Sequence, residues 1–167
     1  GISSHDPDVL VEAIDSDLCD VVLFPVGASC DMRYMDVVLP LARAKGVGTV
    51  CFKTFGAGKL LGDTSGYNQP LRERPRGKLS SGGEKLEDEP LLPHMSVADC
   101  LHYTLTYDPD VALLGLSFPN EQDTAFRAAL EFEPISAERL AELRSKAQEA
   151  LSEKGACWWN PADGRTD

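Results

Sequence analysis

Four short apolar runs, starting near residues 1, 20, 47 and 111, each lead into a stretch of helical period, and this alternation confines the chain to parallel α/β folds. The runs are Gly1-Ile2-Ser3-Ser4, Val21-Val22-Leu23-Phe24 stopped by Pro25, Val47 to Phe52, and Val111-Ala112-Leu113-Leu114-Gly115-Leu116. The second to fourth are too short for helices, and their continuous apolar character is that of strands buried on both faces. Between the runs, Asp6-Pro7-Asp8 supplies an N-cap, a proline at the first helical position and a first-turn acid, which predicts a helix over about 7–16. YMDVVLPLARAKG ends in a basic turn and Gly46, with Pro40 implying a kink or a late start. Ser96 opens a helix through about Thr106, and Pro119 opens NEQDTAFRAALEF. Ser136 caps a helix with Leu140, Leu143, Ala147 and Leu151 on one face, ended by Gly155. A polar insert, 64–95, stretches the last interval, and residues 156–167 form an irregular tail. Such units build either an open doubly wound sheet or an arc of a (β/α)8 barrel.

The 167 residues predict one domain, and a formal charge of −11 repels a phosphate backbone or an anionic bilayer, so neither nucleic acid nor membrane is an expected partner. No apolar run approaches the roughly 18 residues of a spanning helix, and nothing resembles a signal peptide, which points to the cytoplasm. The five cysteines, at 19, 30, 51, 100 and 157, include no C-x-x-C pair. They read as buried free thiols, with no metal site expected.

The stretch VCFKTFGAGKLLGD places Gly56, Gly58 and Gly62 after a strand, close to a phosphate-binding fingerprint. A dinucleotide fold of the doubly wound type needs the glycines directly after the strand and a helix opening on them. Here Lys53-Thr54-Phe55 intervene and two prolines follow, while a P-loop would require Ser or Thr after Gly58-Lys59, where Leu60 stands. Two readings stay open: a turn that exposes the Gly56 and Gly58 amides to an anion at the carboxyl end of a parallel strand, or a loop whose glycines serve packing.

Lys53-Thr54-Phe55-Gly56-Ala57-Gly58-Lys59-Leu60-Leu61-Gly62 resembles the S-P-L-G-x-G-x-L-x-G stretch that follows the seventh barrel strand of aldo/keto reductases and wraps the cofactor pyrophosphate. Gly1 to Pro7 is similar to that family's G-V-S-N-F-x-P after strand five, and Asp20 to Pro25 to its D-V-V-Q-x-P in strand six. LPLARAKGVGTV is similar to helix six and strand seven, and residues 111–130 to strand eight and its helix. The resemblance implies the second half of a (β/α)8 TIM barrel, strands five to eight, in residues 1–167. It also implies reversible hydride transfer between NADP and a small carbonyl substrate. The family's proton-donor tyrosine, with its aspartate, lysine and histidine partners, belongs to strands one to four, so no catalytic residue is expected in this chain.

By the same resemblance the cofactor-binding positions are Ser3, Ser4, Phe52, Lys53, Thr54, Phe55, Gly56 and Gly58. Ser3 and Ser4 stand where a serine and an asparagine hold the carboxamide, and Phe52 where an aromatic ring stacks on the nicotinamide. Leu23 replaces the usual glutamine. Where the family presents Lys or Arg to the adenosine 2′-phosphate, this chain has Leu116, Ser117, Phe118 and Glu121. Arg72, Arg74, Arg76 and Lys78 of the insert could reach that phosphate instead, or form a solvated run balanced by Glu84, Glu87, Asp88 and Glu89. Lys53 carries a further alternative, since a lysine at the end of a barrel strand forms Schiff bases if burial lowers its pKa. His5 reads as a surface residue at the start of a helix.

Half a barrel leaves two unpaired strand edges and an unfilled interior. A homodimer closing eight strands, or a missing N-terminal half, is therefore the expected partner. A beginning inside a strand is what a fragment would show, and weak or absent NADP binding is expected of an isolated half. The alternative is a non-catalytic, structural or anion-binding half-barrel that assembles by strand-edge pairing.

Overall fold

The computed structural model describes residues 1–61, 93–116, 119–152 and 154–161. Four parallel strands, β1 (Ile2–Ser3), β2 (Val21–Pro25), β3 (Gly48–Phe52) and β4 (Val111–Ala112), form one sheet in the order β1-β2-β3-β4. A doubly wound sheet reverses direction after its first strands, whereas here every strand is laid beside its predecessor in sequence, as in a barrel wall. Of the two architectures the sequence allows, the strand order selects the arc.

The connecting helices follow from local chemistry. α1 (Pro7–Asp15) is capped by Asp6, whose carboxylate accepts from the Asp8 amide at 2.9 Å. The segment before β3 resolves the Pro40 problem. One π-helical turn, Tyr34–Val38, leads without a break into α2 (Leu39–Lys45), and this bulge just before Pro40 accommodates a residue that lacks the N–H for a regular helical bond. α3 (Val97–Thr106) is capped by Ser96. α4 (Pro119–Leu130) and α5 (Ala137–Ala150) complete the chain, the latter capped by Ser136.

Two expectations about length need correction. β4 holds ladder pairing only at Val111–Ala112, extended by one bond from the Leu113 amide to the Cys51 carbonyl, because as the edge of the described sheet it has only β3 to pair with. α5 stops at Ala150, and Gly155 (φ 77°) lies in the loop beyond it.

Registered neighbours share a face in a parallel ladder, so Ile2, Val22 and Thr49 line one side while Ser3, Leu23, Val50 and Val111 line the other. The first side is buried: Val22, Phe24 and Cys51 pack with Leu10 and Ile14 of α1 and with Tyr34, Val38 and Ala42. A second cluster joins Phe55 and Leu60 to Cys100, Leu101 and Tyr103 of α3, Ala125 and Ala128 of α4, and Leu143 and Ala147 of α5. On the other side Val21, Leu23, Val50 and Phe52 are only half-buried, and Val111 and Leu113 are 43% and 47% exposed. This apolar face has no covering layer among the described residues. No helix among them is long and apolar enough to cross a membrane.

At the amino ends of the strands, Asp110 fastens β4 to β3. Its carboxylate accepts from the Thr49 amide at 2.7 Å and hydroxyl at 2.8 Å, and its own amide donates back to that hydroxyl at 3.0 Å. These bonds hold the carboxyl below the ordinary aspartate value of 3.8. Its contribution is therefore complete above that value and disappears as acid titrates the folded protein. Asp110→Asn is expected to lower stability by about 1 kcal/mol at neutral pH, measured by urea unfolding. The difference from the parent should shrink as the pH is taken below 3.8.

Candidate functional site

The carboxyl ends of the strands carry four segments in contact: the residues after β1, the loop after β2, the loop after β3, and a strap at 157–160. Gly27 lets the second and third meet backbone to backbone, because a Cβ there would sit 2.8 Å from the Lys53 carbonyl oxygen and 3.3 Å from that of Thr54. The strap is stitched across the top. The Tyr34 hydroxyl is shared between the carbonyls of His5 (2.6 Å) and Trp159 (3.1 Å), while the Asn160 amide donates to the Ser29 carbonyl (2.8 Å) and accepts from the Asp31 amide (2.9 Å). Trp159 is fully buried in the first cluster.

The glycine turn differs from the anion-cradle expectation. Gly56 and Gly58 are buried, and their amides donate inside the turn, to the Lys53 and Phe55 carbonyls, each at 2.8 Å. Gly56 has φ 56°, and a Cβ on it would approach Leu60 Cγ and Ser29 Oγ to 3.0 Å. Both of its requirements, left-handed backbone and close packing, are steric. The turn is also held from outside, for Lys59 Nζ donates to the Lys154 carbonyl while Lys154 Nζ donates to the carbonyls of Lys59 (3.0 Å) and Pro93 (2.7 Å). Just before the glycines, the amides of Lys53, Thr54 and Phe55 make no backbone hydrogen bond among the described residues.

Unpartnered polar side chains gather in the same place. His5 Nε2, Ser29 Oγ and Thr54 Oγ1 are buried with no hydrogen-bond partner, and they follow β1, β2 and β3 respectively. Buried polar atoms are ordinarily satisfied, and exceptions concentrate where a ligand or water completes them. Of the three, Thr54 lines a cavity of about 310 Å³, whose other walls include Phe52, Lys53, Phe55, Leu113 and Gly115. That is the lower end of small-molecule pockets.

The positions singled out from sequence fall unevenly around this cavity. Phe52, Lys53, Thr54, Phe55 and Gly58 line it. Ser3 is exposed at the end of β1 on the uncovered face. Ser4 is partly engaged, its amide donating to the Leu23 carbonyl (3.1 Å) and its hydroxyl accepting from the Asp6 amide (3.0 Å). Phe55 turns into the second hydrophobic cluster. After β4, Leu116 is buried and its carbonyl accepts from Gln122 (3.0 Å). Gly62, Ser117, Phe118 and the basic residues 72–78 lie outside the described residues.

His5 corrects its sequence reading. Its ring is half-buried, 5.5 Å from Phe52 and 5.2 Å from Trp158, and burial, aided by the Lys53 charge, lowers its pKa below 6.5. Lys53 Nζ lies 4.2 Å from the centre of the Trp158 ring. No local signal marks Trp158, Trp159 or Asn160, because their partners are more than 100 residues away in sequence.

In fold, the chain is similar to the apo form of aldo-keto reductase AKR11C1 from Bacillus halodurans. The TM-score is 0.55 and the identity 22%, over 93% of this chain and 53% of that one. The fold is about half of an aldo-keto reductase barrel. The holo form of the same reductase gives a TM-score of 0.52 and 21% identity over 93% of this chain and 52% of that one. This chain therefore spans about half the length of the solved reductase, and at such identity the likeness is one of fold alone. No family model and no curated protein matches the chain.

Proposed function

We propose that residues 1–167 are the C-terminal, cofactor-binding half of an NAD(P)H-dependent reductase of carbonyl compounds, their strands corresponding to the fifth to eighth of the barrel. One observation carries the reading: the buried, unpartnered polar atoms of His5, Ser29 and Thr54 follow three successive strands at the barrel face where such enzymes bind ligands. The residues fit a dinucleotide at one end. Phe52 offers a flat ring at the end of β3, Ser3 an exposed hydroxyl at the end of β1, and the Thr54 and Phe55 amides two donors without a backbone partner. The bound cofactor would supply the hydride. In this reading the chain holds and orients the cofactor and supplies no proton donor, so the half alone is inactive.

A second reading, a structural half-barrel, is favoured by the internal engagement of the Gly56 and Gly58 amides, which leaves neither to an anion. NADPH titration monitored by tryptophan fluorescence separates the two. The reductase reading expects saturable quenching, weakened about tenfold in Phe52→Ala by the loss of a stacked ring. Absence of saturation up to about 1 mM, meaning binding weaker than roughly 4 kcal/mol, removes the support for cofactor binding by this half on its own and favours the structural reading.

A further inference from the structure

Lys53 is set apart from the other described lysines. It ends β3 in a left-handed conformation (φ 69°), which a residue with a side chain adopts only where its surroundings impose it. Its Nζ stands among three rings, 4.2 Å from the centre of Trp158, 5.5 Å from Trp159 and 5.9 Å from Phe52. No carboxylate pairs with it among the described residues. Three rings attract an ammonium less strongly than the water they displace, so they do not fully replace the hydration that partial burial removes. Burial accordingly lowers the lysine pKa.

Two further features meet there. The cavity beside Lys53 is walled by Phe52, Phe55 and Leu113, which suits a small carbonyl compound with an apolar body. His5 rests against the same Phe52 and Trp158 rings, with Nε2 buried and unpartnered. An imidazole in that state takes up and returns a proton.

We propose that Lys53 is a carbonyl-reactive amine that forms an imine with small, predominantly apolar aldehydes or ketones entering this cavity, with His5 as the proton carrier. The amine lone pair attacks the carbonyl carbon and the π pair moves to oxygen. His5 takes a proton from nitrogen and returns it to oxygen, giving a carbinolamine. His5 then takes up a proton from solvent and passes it to the hydroxyl, which leaves as water while the nitrogen lone pair forms the C=N bond. The iminium loses its remaining N–H proton to His5, which returns it to solvent. The balance is amine plus carbonyl to imine plus water, with no oxidant or reductant. This chemistry uses the Lys53 side chain, which the dinucleotide reading above does not require, so either can fail alone.

The full 167-residue chain, incubated with propanal at neutral pH and quenched with sodium borohydride, tests the proposal by peptide mass mapping. Lys53 is expected to carry the propyl group several-fold above exposed lysines such as Lys45 and Lys146, because a lowered pKa leaves more of its amine unprotonated at neutral pH. In urea the preference should disappear, and Lys53→Arg should abolish the fast adduct. His5→Gln should slow trapping several-fold without changing which lysine is labelled. Labelling of Lys53 in the folded chain at the same rate as Lys45 and Lys146 overturns the imine. An unchanged rate in His5→Gln overturns the role of the histidine.

Discussion

Trp159→Ala is expected to destabilise the chain by about 3–5 kcal/mol, enough to leave much of it unfolded if its total stability lies near the lower end of the usual range of about 5–15 kcal/mol. Trp159 is fully buried in the first cluster at the carboxyl ends of the strands, and its carbonyl shares the Tyr34 hydroxyl with that of His5. Removing the indole opens a cavity and frees the strap that Asn160 clips to Ser29 and Asp31. The neighbouring residue is the control. Trp158 is 63% exposed, and its replacement by alanine should change stability by no more than about 1 kcal/mol. Urea unfolding followed by circular dichroism measures both, and equal effects at the two positions would contradict the packing described.

Self-association is the second large effect expected. The uncovered face, with Val21, Leu23, Val50, Phe52, Val111 and Leu113, is apolar and carries no charge. β1 and β4 each have one edge without a partner strand among the described residues. A two-fold axis along the barrel axis would set β4 of one copy beside β1 of the other with all eight strands parallel, which removes both edges and fills the interior together. Sedimentation at about 10 µM should find mostly dimer if the dissociation constant is near 1 µM. Val50→Glu, which places a charge at the centre of that face, should return the chain to monomer with its helical signal intact. A compact monomer of the parent chain at that concentration would contradict the prediction.

What could be read in the sequence is what short-range chemistry decides. The caps at Asp6, Ser96 and Ser136 place α1, α3 and α5 within a residue or two at their starts, because an N-cap bond forms between near neighbours. The valine-rich runs place β2 and β3, and Pro40 signals an irregularity that the π turn supplies. β4 was read too long because an apolar run does not reveal how many neighbours a strand will have. The site was legible only in part. Lys53 to Gly58 are grouped by sequence and remain grouped in space, yet which amides stay free depends on the turn's internal bonds, and these differ from the motif's appearance. His5, Trp158 and Asn160 join the site through contacts with partners far along the chain, and an isolated histidine or an aperiodic tail carries no mark of them.

The clip from Asn160 to Asp31 joins residues 129 positions apart. On a ribosome adding about 5–20 residues per second, Asp31 would be made roughly 6–26 seconds before Asn160. Until then the residues that pack on Trp159 lack that partner. The top of this protein is thus the part whose completion depends most on how fast it is translated.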